Sequence, residues 1–359
     1  MTMRVFGGPH RYVQGPGALA ELAPLVALYG RRPFVIVDAA VMDLIRAKLE
    51  AVFVNSDVTP TFAAFSGECT AEKIDEMTAR AATAQSDVVI GLGGGKTIDN
   101  AKGVRIARGG ALLIVPTVAS NDAPTSRLVV LYRADHSLSE VRLMTTNPDA
   151  VVVDTALIAG APRRFFVAGV GDALSKKFEV EQCARAGGLN FYKGRSTSLA
   201  LMIADQCYRT VREDTLAALE AVTAKMPNEA FERVVEATIL SSGLGFESGG
   251  LSISHALTRG FSAIPALSGA LHGEQVAFGL LAQLCLEGRS DNFLADMKAF
   301  YRAVGLPVSL ADLGLRDGAA TAIETIAART LADAPYVQNF QSEVTQTNLT
   351  AALARANTT

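Results

Sequence analysis

The chain has 359 residues, enough for two domains each with its own core. At 49% hydrophobic and 19% charged residues its composition is that of an ordinary globular protein, and a formal charge of −3 with no basic block argues against a nucleic-acid role. No apolar run is long and unbroken enough to span a bilayer, and the first residues carry no apolar signal core. Cys69, Cys183, Cys207 and Cys285 lack Cys-x-x-Cys spacing and read as reduced thiols of a cytoplasmic protein.

The first part of the chain alternates strand and helix patterns. Pro33 to Asp38 is a short apolar run ending in an acid, and residues 40–54 are helical in pattern. Thr61 to Phe65 predicts a strand, residues 71–84 a helix, residues 87–91 a strand, and the segment from Lys96 through Lys102 a helix. Residues 111–116 and 151–154 are further buried strands. This alternation predicts a mostly parallel α/β sheet. Residues 128–132 and 140–144, joined through Asp135-His136-Ser137, predict a hairpin arm leaving that sheet. After Pro162 the periodicity becomes helical over 170–186, 196–212, 214–225, 229–240 and beyond. The expected division is an α/β domain over residues 1–160 and an all-helical domain over 161–359, with a small-molecule site between them.

Within the first domain, Asp87-Val-Val-Ile-Gly-Leu-Gly-Gly-Gly-Lys-Thr-Ile-Asp99 reads as a buried strand, a glycine turn and a helix start. Such a unit presents bare backbone N–H groups to an anion such as a phosphate. It is not a Walker A loop, because Ile90 stands where the first Gly is required. Nor is it Gly-x-Gly-x-x-Gly, since that pattern meets Lys96 or Ile98 at its third glycine. On this stretch alone a structural turn and a phosphate cradle both stay open.

Asp38 ends a strand, where a carboxylate can accept both hydroxyls of an adenosine ribose, which favours NAD; it can equally cap the helix that follows. Thr117 to Ser126 crowds hydroxyls, Asn121 and Asp122 onto a loop at the same sheet edge, a composition that turn chemistry also explains. Of four histidines, His10 and His136 read as surface residues, while His255 and His272 lie in helical stretches. Asp172 sits near the start of the first helix of the second domain. One acid and two imidazoles suit Zn²⁺ or Fe²⁺ with an open coordination position, yet buried, satisfied histidines and a helix-start acid fit the same spacing.

Five ordered segments carry a resemblance across nearly the whole chain. They are Gly93-Gly-Gly-Lys-Thr-Ile-Asp99, residues 116–124 around Ser120 and Asp122, Ala168-Gly-Val-Gly-Asp-Ala-Leu174, Ser242 to Gly250, and His272 to Gly279. Together they resemble the glycerol dehydrogenase branch of the iron-type (group III) metal-dependent alcohol dehydrogenases. The resemblance implies an NAD-binding α/β domain followed by an all-helical domain, together the dehydroquinate synthase-like architecture, with a metal between them. It implies that Asp172, His255 and His272 hold Zn²⁺ or Fe²⁺, and that Asp122 hydrogen-bonds the substrate. It also implies that Asp38, Gly94, Gly95, Lys96, Thr117, Ser120, Ser126, Leu128 and Tyr132 touch NAD. The expected reaction is oxidation of glycerol or a related vicinal diol, with a homo-oligomeric protein, dimer to octamer.

Several positions depart from the family pattern. Thr125 replaces a common Cys, Arg127 a small residue, and Thr258-Arg259 a His-Asn pair; residues 266–271 are small and apolar where histidines and aromatics are frequent. Arg127 and Arg259 read as surface or interdomain residues, or as a pocket reshaped for an anionic hydroxy or keto compound. A dehydroquinate synthase-like lyase demands a denser Lys/Arg/His pocket than four histidines supply.

Overall fold

The computed structural model describes residues 2–133 and 138–358. The expected turn at Asp135-His136-Ser137 lies outside the described residues. Among the described residues, six strands form one fully parallel sheet in the order β1-β8-β5-β4-β2-β3. These are β1 (Tyr12–Gly15), β2 (Pro33–Asp38), β3 (Thr61–Phe65), β4 (Val88–Gly93), β5 (Ala111–Pro116) and β8 (Ala150–Asp154). The strands β6 (Leu128–Tyr132) and β7 (Leu138–Leu143) pair antiparallel as a separate two-stranded arm.

The helices among the strands are α1 (Leu22–Ala27), α2 (Ala39–Phe53), α3 (Ala71–Thr83), α4 (Gly95–Arg108) and α5 (Thr155–Ala159). β2, β4, β5 and β8 are buried along almost their whole length, which is why they read as continuous apolar runs. One core lies on the α1/α2 side of the sheet around Val35, Ile90 and Leu113. A second, around Ile36, Val89 and Ile114, continues into the helical part of the chain.

The remainder is helical: α6 (Arg163–Ala186), α7 (Ser198–Ala224), α8 (Glu229–Glu236), α9 (Ser242–Gly249), α10 (Ile253–Phe261), α11 (His272–Leu286), α12 (Asp291–Val304), α13 (Ala319–Asp333) and α14 (Gln346–Asn357). Two expectations change. The stretches over 196–212 and 214–225 are one helix, α7, because the charged Arg212-Glu213-Asp214 junction contains neither Gly nor Pro to break it. Asp172 is not at a helix start: α6 begins after Pro162, so Asp172 lies in the helix interior with its backbone already bonded. Among the described residues no helix is long and apolar enough to cross a membrane.

Candidate active site and metal centre

Parallel pairing sets Gly93 against Pro116 at the end of the sheet, and the Thr117 amide donates to the Gly93 carbonyl at 3.1 Å. The glycine turn and the hydroxyl-rich loop are thereby bonded together at the carboxyl edge of the strands. A Cβ on Gly93 would lie 2.8 Å from the Cβ of both Asp38 and Thr97, so the turn tolerates no side chain. The next residue, Gly94, opens α4 without a side-chain cap, leaving the first amides of the helix to a ligand.

Asp38 stands beside this turn. Its Oδ1 accepts the Ala40 amide at 3.0 Å and caps α2, leaving the second carboxylate oxygen for another donor. Both sequence readings of Asp38 are therefore compatible in one residue. Gly95 adjoins Asn121, and Lys96 pairs with Glu68. Ser120 is half-buried on the loop, whereas the Ser126 hydroxyl is buried and receives Lys102 Nζ at 3.3 Å. Leu128 and Tyr132 open and close β6; burial pushes the Tyr132 phenol up to about 12.

The metal-ligand candidates converge from three helices. Ligand atoms of Asp172 on α6, His255 on α10 and His272 on α11 all lie within 4.8 Å of one another. Close helix approach makes this possible: a Cβ on Gly273 would fall 1.8 Å from the Ala168 carbonyl, so only glycine lets α11 seat His272 against α6. The two imidazole centroids are 5.3 Å apart.

Glu179, two turns beyond Asp172 on α6, organises the second ligand. Its Oε1 accepts the Ser252 amide at 2.9 Å and the His255 amide at 3.0 Å, satisfying the start of α10. Its Oε2 lies 2.6 Å from His255 Nδ1. A carboxylate can only accept here, so Nδ1 carries a proton and Nε2 is the nitrogen directed toward Asp172, 3.2 Å from its Oδ1, the carboxylate–histidine arrangement typical of metal sites.

Electrostatics follow from burial and proximity. Burial alone would raise the Asp172 pKa, but Lys176, His255 and His272 outweigh it and hold that carboxyl well below its usual range. Crowding around the His272 ring and the neighbouring His255 and Lys176 lower its pKa, while the residue itself stays open to solvent, so its imidazole is available as a ligand. Burial and the nearby Asp172 raise Asp122 above its usual value, against the pull of Lys176 and Ser242. Asp172 Oδ2 is buried without a hydrogen-bond partner among the described residues. An orphaned anionic oxygen beside two imidazoles is a donor set that fits a divalent cation.

Asp122 is tied to the same centre. Ser242 Oγ donates to its Oδ2 at 2.6 Å, and Lys176 Nζ lies 3.2 Å from that oxygen. Lys176, Glu179 and Ser242 had no role in the sequence reading. Their signal was spacing: Lys176 and Glu179 stand four and seven residues after Asp172, on one helical face. A surface groove of about 910 Å³ beside Leu19 and Ile45 and another of about 500 Å³ beside Lys177 and Arg289 are lined by other residues than this cluster.

Arg127 is engaged by groups of the chain itself. Its Nε donates to Glu247 Oε1 at 2.9 Å, its Nη2 to the Phe191 carbonyl at 2.8 Å, and its guanidinium lies 3.9 Å over the Tyr192 ring. Thr125 is likewise structural, its hydroxyl donating to the Ile239 carbonyl at 3.0 Å. Arg259 lies one turn beyond His255 on α10, and its charge acts on Tyr132 and Tyr336.

Residues 9–155 match the iron-containing alcohol dehydrogenase family model. The glycerol dehydrogenase of Escherichia coli O6:H1 is 36% identical over 354 residues, covering 99% of this chain and 96% of that protein. The glycolaldehyde reductase of Halobacterium salinarum is 35% identical over 353 residues, covering 98% and 97%. The crystal structure of glycerol dehydrogenase from Schizosaccharomyces pombe superposes with a TM-score of 0.95 at 31% identity, covering 99% of this chain and 91% of that one. The parallel sheet, the helical remainder and full-length identity to these enzymes agree, and the chain belongs to the iron-containing alcohol dehydrogenase family, whose enzymes use a dinucleotide and a metal on small-molecule substrates.

Proposed function

We propose that this protein oxidises a vicinal diol, glycerol or a close relative, to the hydroxyketone with NAD as hydride acceptor. The observation that carries the reading is the convergence of Asp172, His255 and His272 within 4.8 Å, with Asp122 joined to them through Lys176. Asp172, His255 and His272 would hold the metal, Zn²⁺ or Fe²⁺, since one carboxylate and two imidazoles suit either. A divalent cation there supplies Lewis acidity that lowers the pKa of a substrate hydroxyl. NAD supplies the hydride acceptor.

The chain's own residues do the rest. Glu179 fixes the His255 ring so that Nε2 faces the centre. Asp122, held by Ser242, orients the diol by accepting from a hydroxyl. The amides of Gly94 and Gly95 at the start of α4 bind the pyrophosphate, and Asp38 takes the ribose hydroxyls. Lys96, Thr117, Ser120, Leu128 and Tyr132 line the same edge of the sheet and the adjoining arm. Ser126, whose hydroxyl receives Lys102, shapes the loop from within. The internal pairing of Arg127 favours a neutral diol over an anionic substrate.

Residues 1–160 would then form the NAD-binding part and residues 161–359 the metal and substrate part. Four free, buried cysteines are compatible with a cytoplasmic protein. The homo-oligomer implied by the resemblance is tested by light scattering. The function is tested by NADH absorbance with glycerol and vicinal propanediol, on protein stripped by a chelator and refilled with Zn²⁺ or Fe²⁺. Turnover restored by either metal is expected. Absence of turnover of both diols by refilled, NAD-binding protein would overturn the reading.

A further inference from the structure

Two of the three side chains that would take up a metal, Asp172 and His255, are already engaged by a cation of the chain itself. Lys176 lies one helical turn after Asp172 and is fully buried. Its Nζ is 2.5 Å from Asp172 Oδ1, 3.1 Å from His255 Nε2 and 3.2 Å from Asp122 Oδ2. The ammonium thus spans one acid and one imidazole of the candidate metal triad and the acid assigned to the substrate.

The contact with His255 is decisive because it is exclusive. In the neutral, metal-binding form of the ring, with Nδ1–H given to Glu179, Nε2 has a single lone pair. That pair accepts from Lys176 or binds a metal at about 2.1 Å, but not both. Two cations sharing the buried Asp172 and His255 would also repel each other at close range. Lys176 cannot turn away to solvent, since its side chain is enclosed; Asp122 is the acceptor left to it.

We propose that Lys176 is a built-in cation that occupies the metal position in the metal-free protein and must be displaced for a divalent ion to bind. The inference rests on the metal reading of Asp172, His255 and His272. It has two consequences. The metal-free protein keeps Asp122 and one oxygen of Asp172 paired, and metal uptake is weakened by the need to expel the ammonium. One displacement also opens the site at two points, because the same Nζ holds Asp122.

The test is Zn²⁺ affinity, measured by competition with a chromogenic chelator, for metal-free wild type, Lys176→Met, Lys176→Gln and an Asp172→Asn control. Methionine keeps most of the length of the side chain without charge, and glutamine keeps a polar end should methionine fail to fold. If the open form is populated one time in ten or less, both variants bind Zn²⁺ at least about tenfold more tightly than wild type. Zn²⁺ is then also expected to raise their unfolding temperature more than that of wild type. Equal or weaker affinity in the variants, with wild type still binding well above Asp172→Asn, overturns the role of Lys176 alone. Uptake no better than Asp172→Asn by every protein overturns that role and the metal reading together.

Discussion

Replacing Arg127 by methionine separates a structural arginine from a substrate-reading one. The guanidinium makes two hydrogen bonds, to Glu247 Oε1 at 2.9 Å and to the Phe191 carbonyl at 2.8 Å, and stacks over Tyr192. The Arg127 side chain is 11% exposed and that of Glu247 2%. Removing one partner of such a buried pair costs about 3–5 kcal/mol, because the remaining charge is left without compensation. Here Glu247 keeps the Arg127 amide at 3.1 Å, Asn147 Nδ2 at 2.5 Å and the Tyr192 hydroxyl at 3.1 Å. Those donors place the expected loss at the lower end, about 3 kcal/mol. Urea unfolding of Arg127→Met, Glu247→Gln and the double variant measures it, and the cycle should return a coupling of about 2 kcal/mol or more. The KM for glycerol of the folded Arg127→Met protein should stay within about twofold of wild type, as expected when no substrate contact is lost. A stability loss under about 1 kcal/mol together with a large rise in KM would refute the structural assignment.

Further outcomes follow from the same geometry. Glu179→Gln should weaken Zn²⁺ binding by about 10–100-fold, because the His255 ring loses the carboxylate that fixes it; unchanged affinity in a chelator competition would remove Glu179 from the site. Gly93→Ala should raise the Kd for NAD at least about tenfold, since the new methyl group meets Asp38 and Thr97 at 2.8 Å, and should cost about 1–3 kcal/mol from overpacking. Fluorescence titration giving a wild-type Kd would detach the glycine turn from the cofactor. Asp99 gives a pH signature: burial pushes its carboxyl up to about 6, against the pull of Lys102. The folded state therefore binds this proton more tightly than the unfolded chain. Its stabilising contribution is full below about pH 4 and lost as pH rises through about 6, a swing of about 3 kcal/mol. Urea unfolding across that window should show Asp99→Asn gaining on wild type as pH rises; a flat difference would refute the assignment.

Much of the sheet was legible because its inner strands are buried on both faces, and the partly exposed edge strand Thr61–Phe65 is still a largely apolar run. Pro33–Asp38, Thr61–Phe65 and Ala111–Pro116 end where the apolar runs end. β1 was not legible: Tyr12-Val-Gln-Gly15 is half-buried and is a strand only because it pairs with Val151 to Asp154, far along the chain. A five-residue π turn at Ala237–Ser241, between α8 and α9, also left no mark in the periodicity. At the site, Asp172, His255 and His272 come together through helix packing that no local spacing encodes. Helical spacing alone places Lys176 and Glu179 on the face of Asp172, but it cannot say that α10 delivers His255 between them. The segment from Ser242 to Gly250 was visible as a motif, yet Ser242 and Glu247 gain their roles only from loop residues some 120 positions earlier.

Two buried polar networks lie along the seam between the sheet edge and the helices, and their completeness tells them apart. Around Glu247 each charge is met: Arg127, Asn147 and Tyr192 supply donors to both oxygens, and the guanidinium spends its remaining reach on a carbonyl and a ring. A network satisfied in this way fixes how the Asp122 loop docks on α9, and it offers nothing to a ligand. Around Asp172 the accounting does not close. Oδ2 is buried without a partner among the described residues, and Oδ1 shares one ammonium with His255 and Asp122. Leaving a carboxylate oxygen unmet in the interior costs stability unless something else completes it. The fold accepts that cost where three helices meet the end of the sheet, beside the acid that would face a diol. The incomplete network, rather than the complete one, is therefore where chemistry belongs in this chain.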